Sequence, residues 1–446
     1  MSSEAGTRET KSMLLNVGPS HPAMHGVIRL ITELEGETVV TVEAEIGYLH
    51  RAFEKKCENS TWTQAIPYTD RLNYVSPLIN NFGYCAAVEK LLGIKTTERC
   101  EYIRVIMSEI SRITDHLTCI AASAMELGAM TAFLYLMKAR EYLYEIIEEV
   151  TGARLTISYG RIGGVKGDLP AGISERIENA LVKTEKEFGE VDKLLTRNRI
   201  FIDRTRDIGV LTKENALSYS ITGPMARSAG INFDVRKKFP YFVYDRIDFE
   251  VPLGERGDNY DRYLVRMEEM RQSIRIIRQC LKDIPGGPVN IDANGKAVQS
   301  FDLVDRAKMG ETAGLVDIVS KVEPTLEGTE RPFHDRVMAE EKRAVLPNKG
   351  DTYGNIEGLM NHFKIIMHHH GIRPPKGDTY FAVEAANGEL GYYVASDGTD
   401  RPYRVRVRPP CFFNMAGLHT MLEGYMVADI VSTFGSINMI AGELDR

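Results

Sequence analysis

Two histidines near the start of the chain lie in a segment rich in glycine and proline. His21 and His25 fall within Gly18 to Gly26, just before a run of alternating apolar and polar residues. Loops carried on a rigid scaffold often present functional side chains, and an imidazole can exchange a proton near neutral pH. Pro22 argues against a helix that would aim both rings at one metal ion. The segment therefore indicates either a functional loop or a histidine with a local hydrogen-bonding role.

A second polar segment, Tyr68 to Pro77, combines two tyrosines with the neighbouring pair Asp70 and Arg71. A phenol can donate a proton, and a guanidinium group stabilises nearby negative charge. The simplest structural interpretation of this segment is an ordinary entry to a helix.

Three consecutive histidines, His368 to His370, follow Met367. They resemble a metal-binding tract, yet consecutive residues on a helix point in divergent directions, so at most two could share one ion. We interpret them as the end of a surface helix.

Three arginines alternate with valines after the turn Asp397-Gly398: Arg404, Arg406 and Arg408. In a strand this spacing places the guanidinium groups on one face of the sheet. The face is predicted to be either solvated or in contact with an acidic partner.

Helices in the middle of the chain and strands at its two ends must position these residues. Alternation from Val27 to Ile46 around Gly36 predicts a hairpin. The proline-free stretch Glu101 to Val150 predicts two long helices that are broken near Gly128. A third helix is predicted after Ser174 as its N-cap, and a fourth over Tyr260 to Leu281.

The C-terminal part is predicted to contain a small antiparallel sheet. Its strands are Thr379 to Ala385, Tyr392 to Ser396 and Tyr403 to Arg408, with the turn signal Asn387-Gly388 between the first two. A helix over Met415 to Val431 is predicted to follow.

Composition excludes several classes of protein. The 446 residues are 43% hydrophobic and 26% charged, with a formal net charge of -7, which is typical of a globular protein and gives no electrostatic basis for binding nucleic acid. No apolar run approaches the ~18 residues of a membrane span, so membrane association is expected to go through partners. The polar start, Met1 to Lys11, lacks the features of a targeting segment and predicts a cytoplasmic protein.

The six cysteines are scattered, without a CxxC pair: Cys57, Cys85, Cys100, Cys119, Cys280 and Cys411. An iron-sulfur cluster is held by thiolates at characteristic spacings. We therefore predict buried free thiols and no cluster bound by this chain.

Several long segments resemble, in the same order, motifs of the 49-kDa subunit of respiratory complex I, also called its D subunit. They are GPSHPAMHGVIRL, IGYLHRAFEK, YTDRLNYVSPLINN, ELGAMTAF, GARLTISYGRIGGV, GDNYDRY, SDGTDRPYRVRVRPP and GSINMIAGELDR. The resemblance extends over nearly the whole chain. It implies the fold of nickel-iron hydrogenase large subunits.

The resemblance also implies roles for individual residues. His25 and Tyr74 correspond to residues that face a quinone headgroup, and a donor at each end of the quinone stabilises the charge that reduction creates. Glu126 corresponds to an acid that pairs with this histidine, although the family usually has Asp there. Arg71 corresponds to an arginine beside the terminal 4Fe-4S cluster, which the neighbouring B subunit carries, and Thr156 stands where ubiquinone-using relatives have a histidine near that cluster. Asn73 replaces the usual Asp of the tyrosine motif, and Ala132 replaces a usual Pro.

The expected architecture is α+β with a central bundle of long helices. We divide the chain into an N-terminal β region with the quinone-site loop (1–60), a central helical bundle (61–300) and a C-terminal α/β portion (301–446). The implied function is transfer of electrons from the cluster of the B subunit to a quinone, with menaquinone favoured, coupled to proton translocation by the membrane arm. The implied partners are the B and C subunits, other peripheral-arm subunits, and the membrane-arm H subunit at the quinone site. The implied location is peripheral, on the cytoplasmic side of the cell membrane.

Two alternatives stay open on the sequence. One is a nickel-iron hydrogenase large subunit, which would need paired CxxC motifs near both ends of the chain, whereas Cys411 stands alone near the second position. The other is a structural relative that supports a cluster-carrying protein without binding quinone. The presence of both His25 and Tyr74 favours the quinone-binding function over this second alternative.

Overall fold

Sheets lie towards both ends of the chain, and helices connect them. The computed structural model describes residues 12–19, 27–291, 297–298, 349–354, 356–367 and 371–446. The strands in these residues are β1 Ser12–Val17, β2 Arg29–Glu35, β3 Thr38–Glu45, β4 Gly160–Arg161, β5 Gly164–Val165, β6 Asn290–Ile291, β7 Ala297–Val298, β8 Gly377–Ala385, β9 Gly388–Ser396 and β10 Arg404–Arg408.

The longer helices are α3 to α6, α11 and α13, and the others are short. Their bounds are α1 Phe53–Glu58, α2 Ile66–Thr69, α3 Pro77–Leu92, α4 Glu98–Glu126, α5 Met130–Thr151, α6 Ile173–Leu195, α7 Arg199–Asp203, α8 Lys213–Ser218, α9 Gly223–Ser228, α10 Val235–Lys238, α11 Asn259–Asp283, α12 Lys349–Gly354, α13 Ile356–Ile366, α14 Pro410–Ala416, α15 Leu418–Leu422, α16 Asp429–Ile437 and α17 Ala441–Asp445.

The predicted N-terminal hairpin is confirmed as β2 and β3, and β1 adds a third antiparallel strand beside β2. Its apolar face packs on the C-terminal helices, because Leu30 and Val39 share one buried core with Met421 and Phe434. Backbone hydrogen bonds fix this contact: Val39 N–H donates to the carbonyl of Tyr425 at 2.8 Å. The two ends of the chain therefore meet.

The two long helices predicted between Glu101 and Val150 are confirmed as α4 and α5. Gly128 lies between them with φ +88°, a conformation that favours glycine. The third helix, α6, buries Ile177, Leu181 and Phe188, but Ser174 is not its N-cap. The N-cap is Gly172 at φ 71°, and the helix begins one residue before the serine.

The polar face of α4 is buried rather than solvated. Arg104 forms a two-pronged ion pair with Glu89 on α3, with N···O distances of 2.8 and 2.6 Å. Glu109 contacts Arg112 and Arg236 at 3.2 and 3.1 Å. A buried charge is tolerated only when it is paired and hydrogen-bonded, so these contacts fix the positions of the neighbouring helices around α4.

The C-terminal sheet is confirmed in the order β10-β9-β8. Its first turn is Ala386-Asn387, one residue before the predicted Asn387-Gly388, because Gly388 already pairs with Ala385. Arg404 and Arg406 on β10 form ion pairs with Glu58 and Glu54 at 3.1 and 2.8 Å. The acidic surface that meets this arginine face is therefore α1 of the same chain.

The predicted single helix over Met415 to Val431 is wrong. The chain forms the short helices α14 and α15, and then a separate α16. Glu423 is extended and Gly424 has φ +86°, which interrupts the helix, and the freed Gly424 N–H donates to Val39 O. The backbone at Gly424 therefore pairs with the N-terminal sheet instead of continuing the helix.

The fold class is α+β, with long helices at the centre and small sheets around them. None of the helices in the described residues has the length and apolar character that crossing a bilayer requires. The division into 1–60, 61–300 and 301–446 stays a prediction.

Candidate functional site

Tyr74 lies in the short connection between α2 and α3, and its neighbour Asn73 holds that connection in place. The buried Asn73 side chain accepts hydrogen bonds from the backbone N–H groups of Val75 and Ser76 at 3.1 and 3.2 Å. Its amide donates to Asp115 on α4 at 2.9 Å. An asparagine can bond its own backbone two residues on, and this local loop is thereby anchored to the central helix.

The Tyr74 side chain is 37% exposed, at the edge of the buried core. Burial raises the pKa of its phenol, Cys411 and Asp115 raise it further, and the Arg51 guanidinium opposes them. Tyr74 is therefore a neutral hydrogen-bond donor that is partly accessible and has a cation nearby. Such a group can stabilise negative charge that develops on a ligand oxygen.

Beneath Tyr74, polar side chains from five parts of the chain form one largely buried network, the amide-carboxyl cluster: Asn73, Asp115, Asn387, Cys411, Asn438 and Glu443. Asn438 donates to Asp115 at 2.5 Å and to Asn387 at 2.6 Å. Cys411 lies 3.3 Å from Glu443 Oε2 and 3.4 Å from the Asn387 amide nitrogen. Two carboxyl groups, on Asp115 and Glu443, are therefore linked through amides and one thiol.

The C-terminal helix α17 completes this region. Asp445 accepts hydrogen bonds from the backbone of Gly47 and Leu49 at 3.0 and 2.7 Å. Gly442 packs directly on the Tyr74 connection, since a Cβ atom there would lie 2.7 Å from the carbonyl oxygens of Arg71 and Leu72. The last residues of the sequence thus support the segment that carries Tyr74.

The structure brings the Arg71 segment together with the loop that contains Thr156. Asp70 accepts hydrogen bonds from the backbone and hydroxyl of Ser158 at 2.6 and 2.5 Å, and burial raises its pKa to about 6. Thr156 and Arg71 are both exposed. They therefore belong to one accessible surface, and that this surface faces a partner stays a prediction.

Glu126 is the last residue of α4, eleven positions after Asp115. Eleven residues make about three turns, so the two side chains lie on one face of α4 and about 16 Å apart along its axis. Its carboxylate lies against α16, where a Cβ at Gly435 would be 2.5 Å from Glu126 Oε2. The structure thus places Glu126 on the same side of α4 as Asp115.

His25 and the tract His368 to His370 lie outside the described residues. The pairing of His25 with Glu126 and the surface-helix interpretation of the tract stay predictions. Sequence reasoning missed Glu443, Asn387 and Asn438 as parts of the site. Asn438 and Glu443 lie in the final segment that resembles a family motif, whereas Asn387 gave only a turn signal. No periodicity links the three residues to Tyr74.

All six cysteines are buried and have free thiols, as predicted. Across the described ranges, no three His, Cys, Asp or Glu side chains are grouped so as to hold a metal ion. The lone Cys411 instead takes part in the hydrogen bonds of the amide-carboxyl cluster.

Comparison with known proteins gives consistent matches. Residues 126–314 and 299–446 match the family described as "Respiratory-chain NADH dehydrogenase, 49 Kd subunit". The chain is 48% identical over 440 residues to the D subunit of NADH-quinone oxidoreductase from Pelobacter propionicus, covering 99% of this chain and 97% of that protein. It is 48% identical over 438 residues to the D subunit from Myxococcus xanthus, covering 98% and 94%. It is 45% identical over 436 residues to the C/D subunit from Bdellovibrio bacteriovorus, covering 98% of this chain and 69% of that protein.

Proposed function

The chain belongs to the family of the 49-kDa subunit of respiratory-chain NADH dehydrogenase, the D subunit of NADH-quinone oxidoreductase, and we propose that it forms the quinone-reduction site of that complex. Tyr74 and His25 are the donors to the two quinone oxygens. The observation that carries the proposal is the partly exposed Tyr74 phenol. Asn73, which is hydrogen-bonded to Asp115, holds the connection that bears Tyr74, and the Arg51 cation lies near the phenol. Catalysis takes place only in the assembled complex.

The chemistry follows from the charge that reduction creates. Two electrons added to a quinone place negative charge on its two oxygens, and two protons complete the quinol. A donor fixed before the reaction stabilises this charge without the cost of reorientation. The Tyr74 phenol is neutral and held in place, and an imidazole such as His25 can be recharged near neutral pH. Glu126 acts on the imidazole, since a nearby carboxylate favours its protonated form.

The electrons come from a 4Fe-4S cluster in the adjacent B subunit. The exposed surface that joins Arg71 to the Thr156 loop supports this position, because a cation beside a cluster stabilises its reduced form. Threonine does not titrate, so the pH linkage that a histidine would give is absent at Thr156. Because threonine also supplies no cation that would stabilise the reduced cluster, the cluster has a low potential, which is matched to menaquinone.

We place the chain in the peripheral arm on the cytoplasmic side of the cell membrane. It contacts the B and C subunits, and it meets the membrane-arm H subunit at the quinone site, where quinone reduction drives proton translocation. The C/D relative supports a position next to the C subunit, since its printed name joins the two in one protein.

Photolabelling of the assembled complex tests the site. A quinone analogue with a photoreactive headgroup is expected to label peptides that contain Tyr74 or the His25 loop, and excess unlabelled quinone should suppress the labelling. Specific labelling of other subunits, without any in these two peptides, would contradict the proposal.

A further inference from the structure

Glu443 is buried in the amide-carboxyl cluster and takes no part in the chemistry derived above. It is inaccessible to solvent, and its Oε2 lies 3.3 Å from the Cys411 thiol. The same thiol and Asp115 both act on the Tyr74 phenol. Glu443 and Tyr74 therefore have Cys411 and Asp115 as common neighbours.

Burial raises the pKa of Glu443 to about 7. The Cys411 thiol and the Asn387 amide favour the charged form, and Asp115 favours the neutral form. Both states are therefore populated at neutral pH, so the cluster carries one more negative charge when Glu443 is ionised.

The other groups that face Glu443 do not change charge in this range. Burial raises the pKa of the Cys411 thiol and of the Tyr392 phenol well above their ordinary values, so both stay neutral. Arg51, whose guanidinium donates to Gly442 O at 3.2 Å, stays cationic. Asp445 is held by backbone N–H groups outside the cluster.

We propose that Glu443 is a positioning residue for Tyr74, and that its neutral form permits proton donation from Tyr74 to the reduced quinone. In that step the phenol O–H bond breaks, a quinone O–H bond forms, and a phenolate remains until it regains a proton from solvent. Glu443 transfers no proton. When it is ionised, a second negative charge in the cluster opposes the phenolate. The inference rests on the proposed function.

The expected effect is a pH-dependent advantage for a variant that stays neutral. A nearby like charge that shifts the proton affinity of Tyr74 by about one pKa unit changes the proton equilibrium about tenfold. The ratio of kcat in Glu443→Gln to kcat in the parent should therefore be near one below pH 7 and rise up to about tenfold above it. Titration of His25 is common to both proteins and cancels in the ratio.

The test uses the assembled complex with a short-chain quinone across the neutral pH range, with kcat and KM measured separately. Glu443→Asp should keep the parent's pH step, and the exposed Glu423→Gln on the same C-terminal segment should match the parent at every pH. Infrared difference spectra of the parent should show a carboxylic C=O band that is lost as the pH rises through about 7 and is absent from Glu443→Gln.

A kcat ratio that stays constant with pH, or a parent without this infrared band, would overturn the inference. A parent spectrum without the band overturns the inference even if Glu443→Gln does not assemble. Tyr74→Phe distinguishes a failure of the proposed function from a failure of the role of Glu443. If it leaves quinone reduction unchanged, the donor role of Tyr74 in the proposed function fails. If it impairs reduction while the kcat ratio is flat, only the role of Glu443 fails.

Discussion

Replacing Asn73 by alanine should release the connection that carries Tyr74. The substitution removes the amide that donates to Asp115 at 2.9 Å and the oxygen that accepts from Val75 and Ser76. A hydrogen bond to a charged group contributes about 1.5 to 3 kcal/mol, and each backbone N–H that loses its acceptor costs about 1 kcal/mol or more. Water can recover part of this at the exposed edge, so a loss of about 3 kcal/mol is expected for the native loop conformation.

This loss corresponds to about a hundredfold change in the population of the native loop. The effect should be a raised KM and a lowered kcat for quinone in the assembled complex, while NADH oxidation by an artificial acceptor upstream is unchanged. Asn198→Ala is the matched control, because Asn198 bonds two backbone N–H groups in the same way at the start of α7. Unchanged quinone kinetics in Asn73→Ala would refute the reasoning.

Three further predictions concern other parts of the site. Gly442→Ala should destabilise the protein by about 1 to 3 kcal/mol and impair quinone reduction, because its Cβ would lie 2.7 Å from the carbonyl oxygen of Arg71. Thermal unfolding and quinone kinetics measure the two effects. Gly189→Ala is the control and should cause no loss, because no atom lies close to a Cβ at that position. Glu126→Gln should change the pH dependence of quinone reduction, because a carboxylate favours the protonated form of the loop imidazole, and identical pH profiles would remove it from the site. Thr156→His should make the midpoint potential of the terminal cluster pH-dependent in redox titrations, whereas the parent's should vary little with pH; a strongly pH-dependent parent would contradict the menaquinone assignment.

Local sequence patterns predict which helices and strands form better than they predict where each helix begins and ends. The apolar spacing between Glu101 and Val150 and the break at Gly128 are local properties, and α4 and α5 follow them. The predicted start of α6 is wrong because serine is the commoner cap, while the chain uses the left-handed conformation of Gly172. The helix predicted over Met415 to Val431 fails because its backbone pairs with a strand almost 400 positions earlier, which no local pattern encodes.

The candidate site likewise has one part that the sequence predicts and one part that only the structure shows. Tyr74 stands out through its motif, and the structure shows how Asn73 holds its connection. The buried network below depends on contacts between residues that are far apart in sequence, such as Asp115 with Asn438. Single polar residues in helical segments give no sign of such partners, because the same residues could equally be solvated.

Quinone kinetics of Tyr74→Phe and His25→Ala test the central claim most directly. Losing one donor to the developing charge should cost about 1.5 to 3 kcal/mol, or roughly ten- to a hundredfold in kcat/KM, with upstream electron entry intact. Normal kcat/KM for quinone in both variants, measured in fully assembled complex, would contradict the assignment of the quinone site to this chain.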